Sequence, residues 1–218
     1  MSRPCLSALQ NLILAKLGEL EFATPRQLQE GCGVKQPAIS KSVAVLLEEG
    51  LIDGHLHTRP AILHLTPAGS RLLDRVLPAG RRNASWAVMS HACHLSEVQA
   101  QLSEKLKGFR ILRRGEVFRQ GLYPAFGEHG ALDGEGKSWF VLLDDYRMPS
   151  DRISRCWTRR HTPNRKYWPD PTGRAWCDVV QRFLVVATDT RHAARHRAWI
   201  LKSTLPADVF TLKPLWRT

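Results

Sequence analysis

The chain has neither a long apolar run nor paired cysteines. No apolar stretch reaches the roughly 20 residues that cross a bilayer. Lys16, Glu19 and Glu21 follow soon after the start MSRPCLSALQ, where a signal peptide would continue apolar. The five cysteines are scattered and never form a CxxC pair, which argues against a secreted disulfide framework. We therefore expect a cytoplasmic protein with reduced thiols and no membrane partner.

Signatures of small-molecule enzymes are also missing. No Ser-His-Asp order, phosphate-binding glycine loop or dinucleotide fingerprint is recognisable, so no cofactor is expected. His192 and His196 are four residues apart, but the stretch lacks the glutamate of a zinc-protease helix and a second ligand pair. With Arg191, Arg195 and Arg197 beside them, we interpret the two histidines as part of a basic helical face and expect no metal.

Acidic residues are scarce: 20 Asp and Glu stand against 32 Lys and Arg, a net charge of +12. Such a balance favours a polyanionic partner, usually nucleic acid. Residues 1–80 hold 8 basic and 7 acidic side chains, while residues 81–218 hold 24 and 13. This contrast predicts two domains, 1–80 and 96–218, joined by a basic hinge and helix at 81–95.

The first 80 residues carry helix and strand signals in a definite order. LSALQNLILAKL has apolar residues at 6, 9, 12, 13 and 17, the spacing of a core-facing helix. Thr24, Pro25 and Gln27 form a helix start with a capping box, and Gly31 and Gly33 provide its end. A third helix begins at Pro37. Two short strands on either side of HLHTRP and a helix starting at Thr66-Pro67 complete the set.

Helix, helix, turn, helix and a two-stranded ribbon together predict a winged helix-turn-helix, whose third helix projects into the DNA major groove. The free face of that helix is expected to present short polar side chains to base edges and phosphates. These are Gln36, Ala38, Ser40, Lys41 and Ser42. The wing would offer His55, His57 and Arg59 to phosphate or to the minor groove.

The run QPAISKSVAVLLEEGLI, followed by LHLTPAGSRLL, resembles the winged helix of MarR-type bacterial regulators, over roughly residues 5–75. The resemblance implies that the third helix reads DNA through the same five residues, with Arg59 on the wing. Winged helices also bind proteins, and the near-neutral charge of residues 1–80 keeps that alternative open.

Residues 96–218 predict an α/β domain. We expect Ser96 and Gln99 to cap a helical segment. Strands are predicted in FRILRRGEVFR, SWFVLLDDYR, RFLVVATDT and DVFTLKPL, and helices at 151–161, 174–181 and 191–201.

Three segments of this half, SHACHLSEVQAQL, WFVLLDDYRMPSDRI and FLVVATDTRHAARHRAWI, resemble the replication-relaxation family of plasmids and integrative elements. The resemblance implies a restriction-endonuclease-like fold and DNA handling on a mobile element, with a relaxosome or replication protein as a further partner. The expected fold class is therefore α+β, a winged helix followed by a nuclease-like α/β domain.

The motif of such nucleases is incomplete here. Asp145 and Arg147 have the spacing of a carboxylate and a lysine, but arginine does not deprotonate and Leu143 stands where a glutamate is usual. Asp133 and Glu135 could supply a magnesium ligand, although they lie in a glycine-rich turn. We interpret the domain as an inactive scaffold; a Mg²⁺-dependent nuclease is the alternative.

A second DNA contact is predicted in residues 152–176, where basic and aromatic side chains alternate. The basic candidates are Arg155, Arg159, Arg160, Arg165 and Lys166. The alternative is that the tryptophans are core or dimer anchors and the arginines a solvated rim. Together these features favour a homodimeric, sequence-specific binder of double-stranded DNA that controls replication, transfer or transcription.

Overall fold

The computed structural model describes residues 5–58, 61–73, 84–145, 148–158 and 174–213. The chain forms two compact units, the first reaching Ser96 and the second beginning at Glu97. The change from one unit to the other falls inside a helix. The α+β class predicted from the sequence is confirmed.

The first unit is a winged helix. Its elements are α1 (Ala8–Leu20), α2 (Pro25–Cys32), α3 (Gln36–Glu48), β1 (Ile52–His55), β2 (Ile62–Leu65) and α4 (Pro67–Leu72). Strands β1 and β2 are antiparallel, with Ile52 opposite Leu65 and His55 opposite Ile62. Ala23, in the α1–α2 connection, pairs with Leu63 through two backbone hydrogen bonds of 3.0 and 2.9 Å. The wing is thereby attached to the start of α2.

Local capping signals fix the ends of α2. The Thr24 hydroxyl accepts a hydrogen bond from the Gln27 backbone at 3.2 Å, and the Gln27 side chain accepts one from the Thr24 backbone at 2.9 Å. Gly33 ends the helix in the left-handed conformation, with φ of 66°. The predicted capping box is confirmed, whereas Gly31 remains helical and is not part of the turn.

The core of the first unit joins α1, α2, α3 and the wing. Its fully buried members include Ile13, Leu17, Leu28, Ile39 and Leu46. The first predicted apolar stripe was only partly right, because Leu12 is 39% exposed and Leu14 is buried in its place.

Helix α5 (Trp86–Ser103) is continuous, so the predicted helix start at Ser96 is wrong. The Ser96 hydroxyl donates to the carbonyl of Ala92 at 3.1 Å, a bond made inside a helix and not at its start. The Gln99 side chain accepts from the backbone of Ile111 at 3.2 Å. Its role is therefore to hold the edge strand of the sheet that follows.

The second unit contains a five-stranded mixed sheet. Its elements are β3 (Arg110–Ile111), α6 (Arg114–Arg119), β4 (Glu128–Leu132), β5 (Ser138–Asp144), α7 (Asp151–Thr158), α8 (Trp176–Val179), β6 (Arg182–Ala187), α9 (Thr190–Ser203) and β7 (Ala207–Thr211). The strand order is β3-β4-β5-β6-β7. The pairs β3–β4 and β4–β5 are antiparallel, and β5–β6 and β6–β7 are parallel.

Stacked aromatic rings form the centre of this unit. Phe140 on β5 lies 4.4 Å from the Trp176 ring and 4.9 Å from Phe183, and Trp157 stacks on Phe183 at 4.8 Å. Trp157 and Trp176 are 8% and 0% exposed. These two tryptophans are core residues and do not present stacking faces to nucleic acid.

The predicted strands in this unit were partly right. Strands β5, β6 and β7 form where the apolar runs predicted them. The predicted strand in FRILRRGEVFR is only two residues long before α6 begins, and β4 was not predicted. The predicted glycine-rich turn that contains Asp133 and Glu135 is observed, and residues 133–137 form this connection between β4 and β5. Within the described ranges, no helix is long and apolar enough to cross a membrane.

Candidate DNA-binding surface

Helix α3 follows α2 after a turn of three residues, Gly33 to Lys35. Pro37 occupies its first turn, and no side chain caps its start. Gly33 is exposed at this point, and so are Lys35, Gln36 and Pro37. The turn therefore presents the N-terminal end of α3 to solvent, as groove entry requires.

The exposed face of α3 carries four of the five predicted contact residues. Gln36, Ala38, Ser40 and Lys41 are all exposed, and the Gln36 amide lies 3.5 Å from the Ser40 hydroxyl. These side chains are short or flexible and surround the first two turns of the helix. A base edge or a phosphate could approach the backbone there without a bulky side chain intervening.

Ser42 is a correction, because its side chain lies on the buried face and is only 9% exposed. It follows Ile39 by three residues and precedes Leu46 by four, and both of those are fully buried. Residues three and four apart share a helix face. The helical phase therefore places Ser42 toward the core, which the sequence alone could have shown.

The charge on α3 changes along its length. Lys35 and Lys41 are near the N-terminal end, and no ion pair of either is seen in the described part of the chain. Glu48 and Glu49 are exposed at the opposite end. Only the N-terminal half of α3 is thus electrostatically suited to a polyanion.

The wing presents exposed side chains at its tip. His55, Leu56 and His57 are exposed, and the Thr58 hydroxyl donates to the His55 carbonyl at 2.8 Å. This bond closes the first part of the loop. Arg59, the predicted wing contact, lies outside the described residues.

Most of the basic candidates predicted in residues 152–176 lie outside the described residues. Arg155 lies on α7, 66% exposed, with its guanidinium 3.0 Å from the carboxylate of Asp151. Arg159, Arg160, Arg165 and Lys166 lie outside the described residues. Of the five basic candidates, Arg155 is the one within the described residues, and its guanidinium already has a carboxylate partner.

The nuclease candidates do not form one site. The Asp133 carboxylate accepts hydrogen bonds from the Trp139 indole at 3.0 Å and from the backbone of Glu135 and Lys137. The Trp139 bond is the main cause that lowers the pKa of Asp133. Asp133 therefore stabilises the β4–β5 turn.

Asp145 follows the other end of β5, so the length of the strand, roughly 20 Å, separates it from Asp133. Glu135 is exposed and paired with the Lys137 ammonium. In the described ranges, no group of three His, Cys, Asp or Glu residues is arranged to hold a metal ion. Asp145 is thus far from the two carboxylates of the β4–β5 turn.

A cluster that the sequence reading missed lies at the carboxyl end of β5. Asp144, the last residue of the strand, is 1% exposed, and its Oδ2 lies 2.7 Å from Nε2 of His196. The other His196 nitrogen, Nδ1, is 3.1 Å from the hydroxyl of Ser150.

The interpretation of the two α9 histidines as a basic face is wrong. His196 is fully buried, and the His192 side chain is 18% exposed, with its Nδ1 3.1 Å from the Asp189 carboxylate. The histidines face the protein because residues 192 and 196 share the helix face that includes Ala193 and Ile200 in the core. Their four-residue spacing was the available signal.

Comparison with known proteins gives structural similarity only. No family model matches the chain, and no curated protein is similar to it. Similar solved structures include mutant MarR from E. coli complexed with operator DNA, with 19% identity over 32% of this chain and a TM-score of 0.30. This chain spans about half of that one, 52%.

Two further structures are similar over somewhat more of the chain. ZitR from Lactococcus lactis in complex with DNA is 20% identical over 48% of this chain and 67% of its own, with a TM-score of 0.31. The adhesin competence repressor AdcR from Streptococcus pyogenes is 18% identical over 47% and 69%, with a TM-score of 0.30.

Proposed function

We propose that this chain is a sequence-specific double-stranded DNA-binding protein and that the N-terminal half of α3 enters the major groove. The observation that carries the proposal is the exposed face of α3, where Gln36, Ala38, Ser40 and Lys41 surround the first two turns. Glutamine can pair with the edge of adenine and lysine with that of guanine, while alanine permits close approach.

Anchoring of α3 supports the same proposal. Ile39 and Leu46 bury the opposite face of the helix completely, and α2 is held at its start by the Thr24 capping box. The wing is bonded to the α1–α2 connection through Ala23 and Leu63. A reading helix fixed in this way loses little further conformational freedom on binding.

Phosphate contacts would add sequence-independent affinity. Lys35, beside the α2–α3 turn, and His57, at the wing tip, are exposed on the first unit. We assign to Arg59 and to the basic residues of the second unit the same role. The excess of 24 basic over 13 acidic residues after position 80 supports this assignment.

The wider role belongs to the proposal as well. We infer that two copies bind as a homodimer, because two α3 helices about one turn of DNA apart read a palindrome. The resemblance to replication-relaxation proteins favours control of replication, transfer or transcription on a plasmid or integrative element, with a relaxosome or replication protein as a partner. The mixed sheet of the second unit is compatible with a nuclease-like scaffold.

The test is selection of bound duplexes from a random pool, followed by affinity measurement with the selected duplex at several salt concentrations. We expect a defined motif. Log affinity should fall linearly with log salt as phosphate contacts release counterions. A steep salt slope without any enriched motif would contradict sequence reading and leave only non-specific binding.

Lys41→Ala should weaken binding to the selected duplex by about 1–3 kcal/mol if the ammonium contacts a base edge. Lys16→Ala is the matched control, because Lys16 is on α1 in the same unit and pairs with Glu19 at 2.9 Å. Lys16→Ala also removes one positive charge, but on a helix that is not proposed to enter the groove. Equal losses for both variants at fixed salt would show that charge alone matters and would reject the α3 assignment.

A further inference from the structure

The second unit contains a hydrogen-bonded chain of a carboxylate, an imidazole and a hydroxyl. Asp144 Oδ1 accepts from the backbone of Met148 at 2.7 Å, and its Oδ2 accepts from Nε2 of His196 at 2.7 Å. The hydroxyl of Ser150 lies 3.1 Å from Nδ1 of the same imidazole. Three separate elements, β5, α9 and the start of α7, supply these groups.

The carboxylate determines which imidazole nitrogen carries the proton. Asp144 Oδ2 is an acceptor, so Nε2 of His196 carries a hydrogen, and when the ring carries that hydrogen alone its Nδ1 presents a lone pair to Ser150. The tautomer is thus the one in which the imidazole can take the serine proton. His196 is fully buried, which holds the ring in this orientation.

Ser150 faces an open cavity. The cavity has a volume of about 550 Å³, and Ser150, Arg195, Trp199 and Lys202 are among its lining residues. Ser150 is half-buried and lines the cavity, whereas His196, to which its hydroxyl is bonded, is fully buried and does not line it. This is the geometry that an activated nucleophile requires.

Charge in the cavity indicates the kind of substrate. Arg195 is held by a hydrogen bond from its guanidinium to the Met148 carbonyl at 2.8 Å, and Lys202 is exposed at the cavity wall. The Asp151 carboxylate, also in the lining, is paired with Arg155. Two cations in the lining of the cavity that Ser150 also lines favour a negatively charged substrate.

We propose that Ser150, His196 and Asp144 form a hydrolytic site that cleaves small carboxylic esters carrying a negative charge. The Ser150 oxygen attacks the ester carbonyl while Nδ1 of His196 takes the serine proton. The ester C–O bond then breaks, and the departing alcohol leaves with that proton. Water next attacks the acyl-serine, again giving a proton to His196, which returns it to Ser150 as the carboxylic acid departs.

Asp144 is a positioning residue in this scheme. It keeps the proton on Nε2 and stabilises the imidazolium that forms in each step. A second histidine, His192, approaches the same carboxylate oxygen with its Nδ1 at 3.7 Å and is closer to Asp189, at 3.1 Å. It has no hydrogen bond to Ser150 and takes no part in the proton transfer.

The test uses the full chain and a fluorophosphonate probe, with the modified peptide identified by mass spectrometry. We expect one adduct, at Ser150. Labelling should be lost in Ser150→Ala and be about a hundredfold slower in His196→Gln, as removal of a general base implies. Hydrolysis of mono-4-nitrophenyl succinate, which is anionic, should depend on Ser150 and His196 in the same way. It should also be faster than hydrolysis of 4-nitrophenyl acetate.

Ser154→Ala is the matched control, because Ser154 also joins α7 to α9 but does so by accepting from the Trp199 indole at 3.1 Å. It should label at the wild-type rate. No adduct at Ser150, or equal labelling of wild type and His196→Gln, would overturn the proposal. If His196→Gln does not fold, the comparison of labelling between wild type and Ser150→Ala still tests the proposal. The melting temperature of each variant shows whether it is folded.

Discussion

Single residues carry much of the information that links this sequence to its structure. Thr24 is 1% exposed and takes part in both bonds of the α2 capping box. Ser7 makes the same pair of bonds at the start of α1 but is exposed. The identical motif in two environments separates the cost of losing a cap from the cost of leaving buried groups without partners.

Thr24→Ala should lower the free energy of unfolding by about 1–2 kcal/mol, because the Gln27 backbone N–H then lacks its acceptor in a buried site. Ser7→Ala should cost less, about 0.5 kcal/mol, since water can replace the lost bond. Urea denaturation of the full chain, followed by circular dichroism, measures both. A greater loss for Ser7→Ala would contradict the burial argument.

Cysteine reactivity should follow burial. The thiol of Cys156 is 4% exposed, and burial, together with the Glu128 carboxylate, raises its pKa to about 12. Cys5 and Cys177 are exposed. At pH 8 an aromatic disulfide reagent should modify these two rapidly and Cys156 only after denaturation, because the thiolate is the reacting form. Peptide mapping after brief exposure checks this, and early modification of Cys156 would contradict it.

At the scale of elements, short sequence motifs correctly predicted those structures that hydrogen bonds between nearby residues form. The starts of α2 and α4 were readable because Thr24 and Thr66 each cap a helix within a few residues. Ser42 could have been placed by helical phase. Strand β4 could not be predicted from its sequence, because EHGAL contains a glycine and two polar residues. The segment becomes a strand by pairing with β5.

The two candidate sites differ in the same way, since one follows from local sequence and the other depends on the fold. The exposed α3 face follows from a short motif and its spacing. The contact of Asp144 with His196 joins residues that are 52 positions apart, and only the fold of β5 against α9 brings them together. Asp145 attracted the nuclease interpretation, yet its neighbour Asp144 is the residue that the fold buries.

Helix α3 provides an element-scale prediction. Ala38→Glu should abolish binding to the selected duplex, because a carboxylate at this exposed position meets the phosphates. Stability should not fall, since an acidic side chain in the first turn is favourable to a helix. Ala8→Glu is the control, because Ala8 is likewise an exposed alanine in the first turn of a helix, but on α1 of the same unit. Equal binding by both variants in a titration with the duplex would contradict the assigned face.

At the scale of the whole molecule, the two units differ in how distant their paired residues are. In the first unit β1 pairs with β2 across a short loop. In the second, β5 pairs in parallel with β6, so residues 145–181 must first be looped out. Charge is also unevenly distributed along the chain, because residues 1–80 are nearly neutral and most of the excess positive charge follows them.

This difference in pairing has a consequence for the order of folding. Closing a long loop before strand contacts form is costly, so chains with distant pairings fold slowly. We expect the amides of Ile52–His55 to be protected earlier during refolding than those of Arg182–Ala187. Pulsed hydrogen exchange with mass spectrometry measures this, and simultaneous protection would contradict it. On the ribosome, the winged helix could thus be complete before the sheet that follows has its last strand.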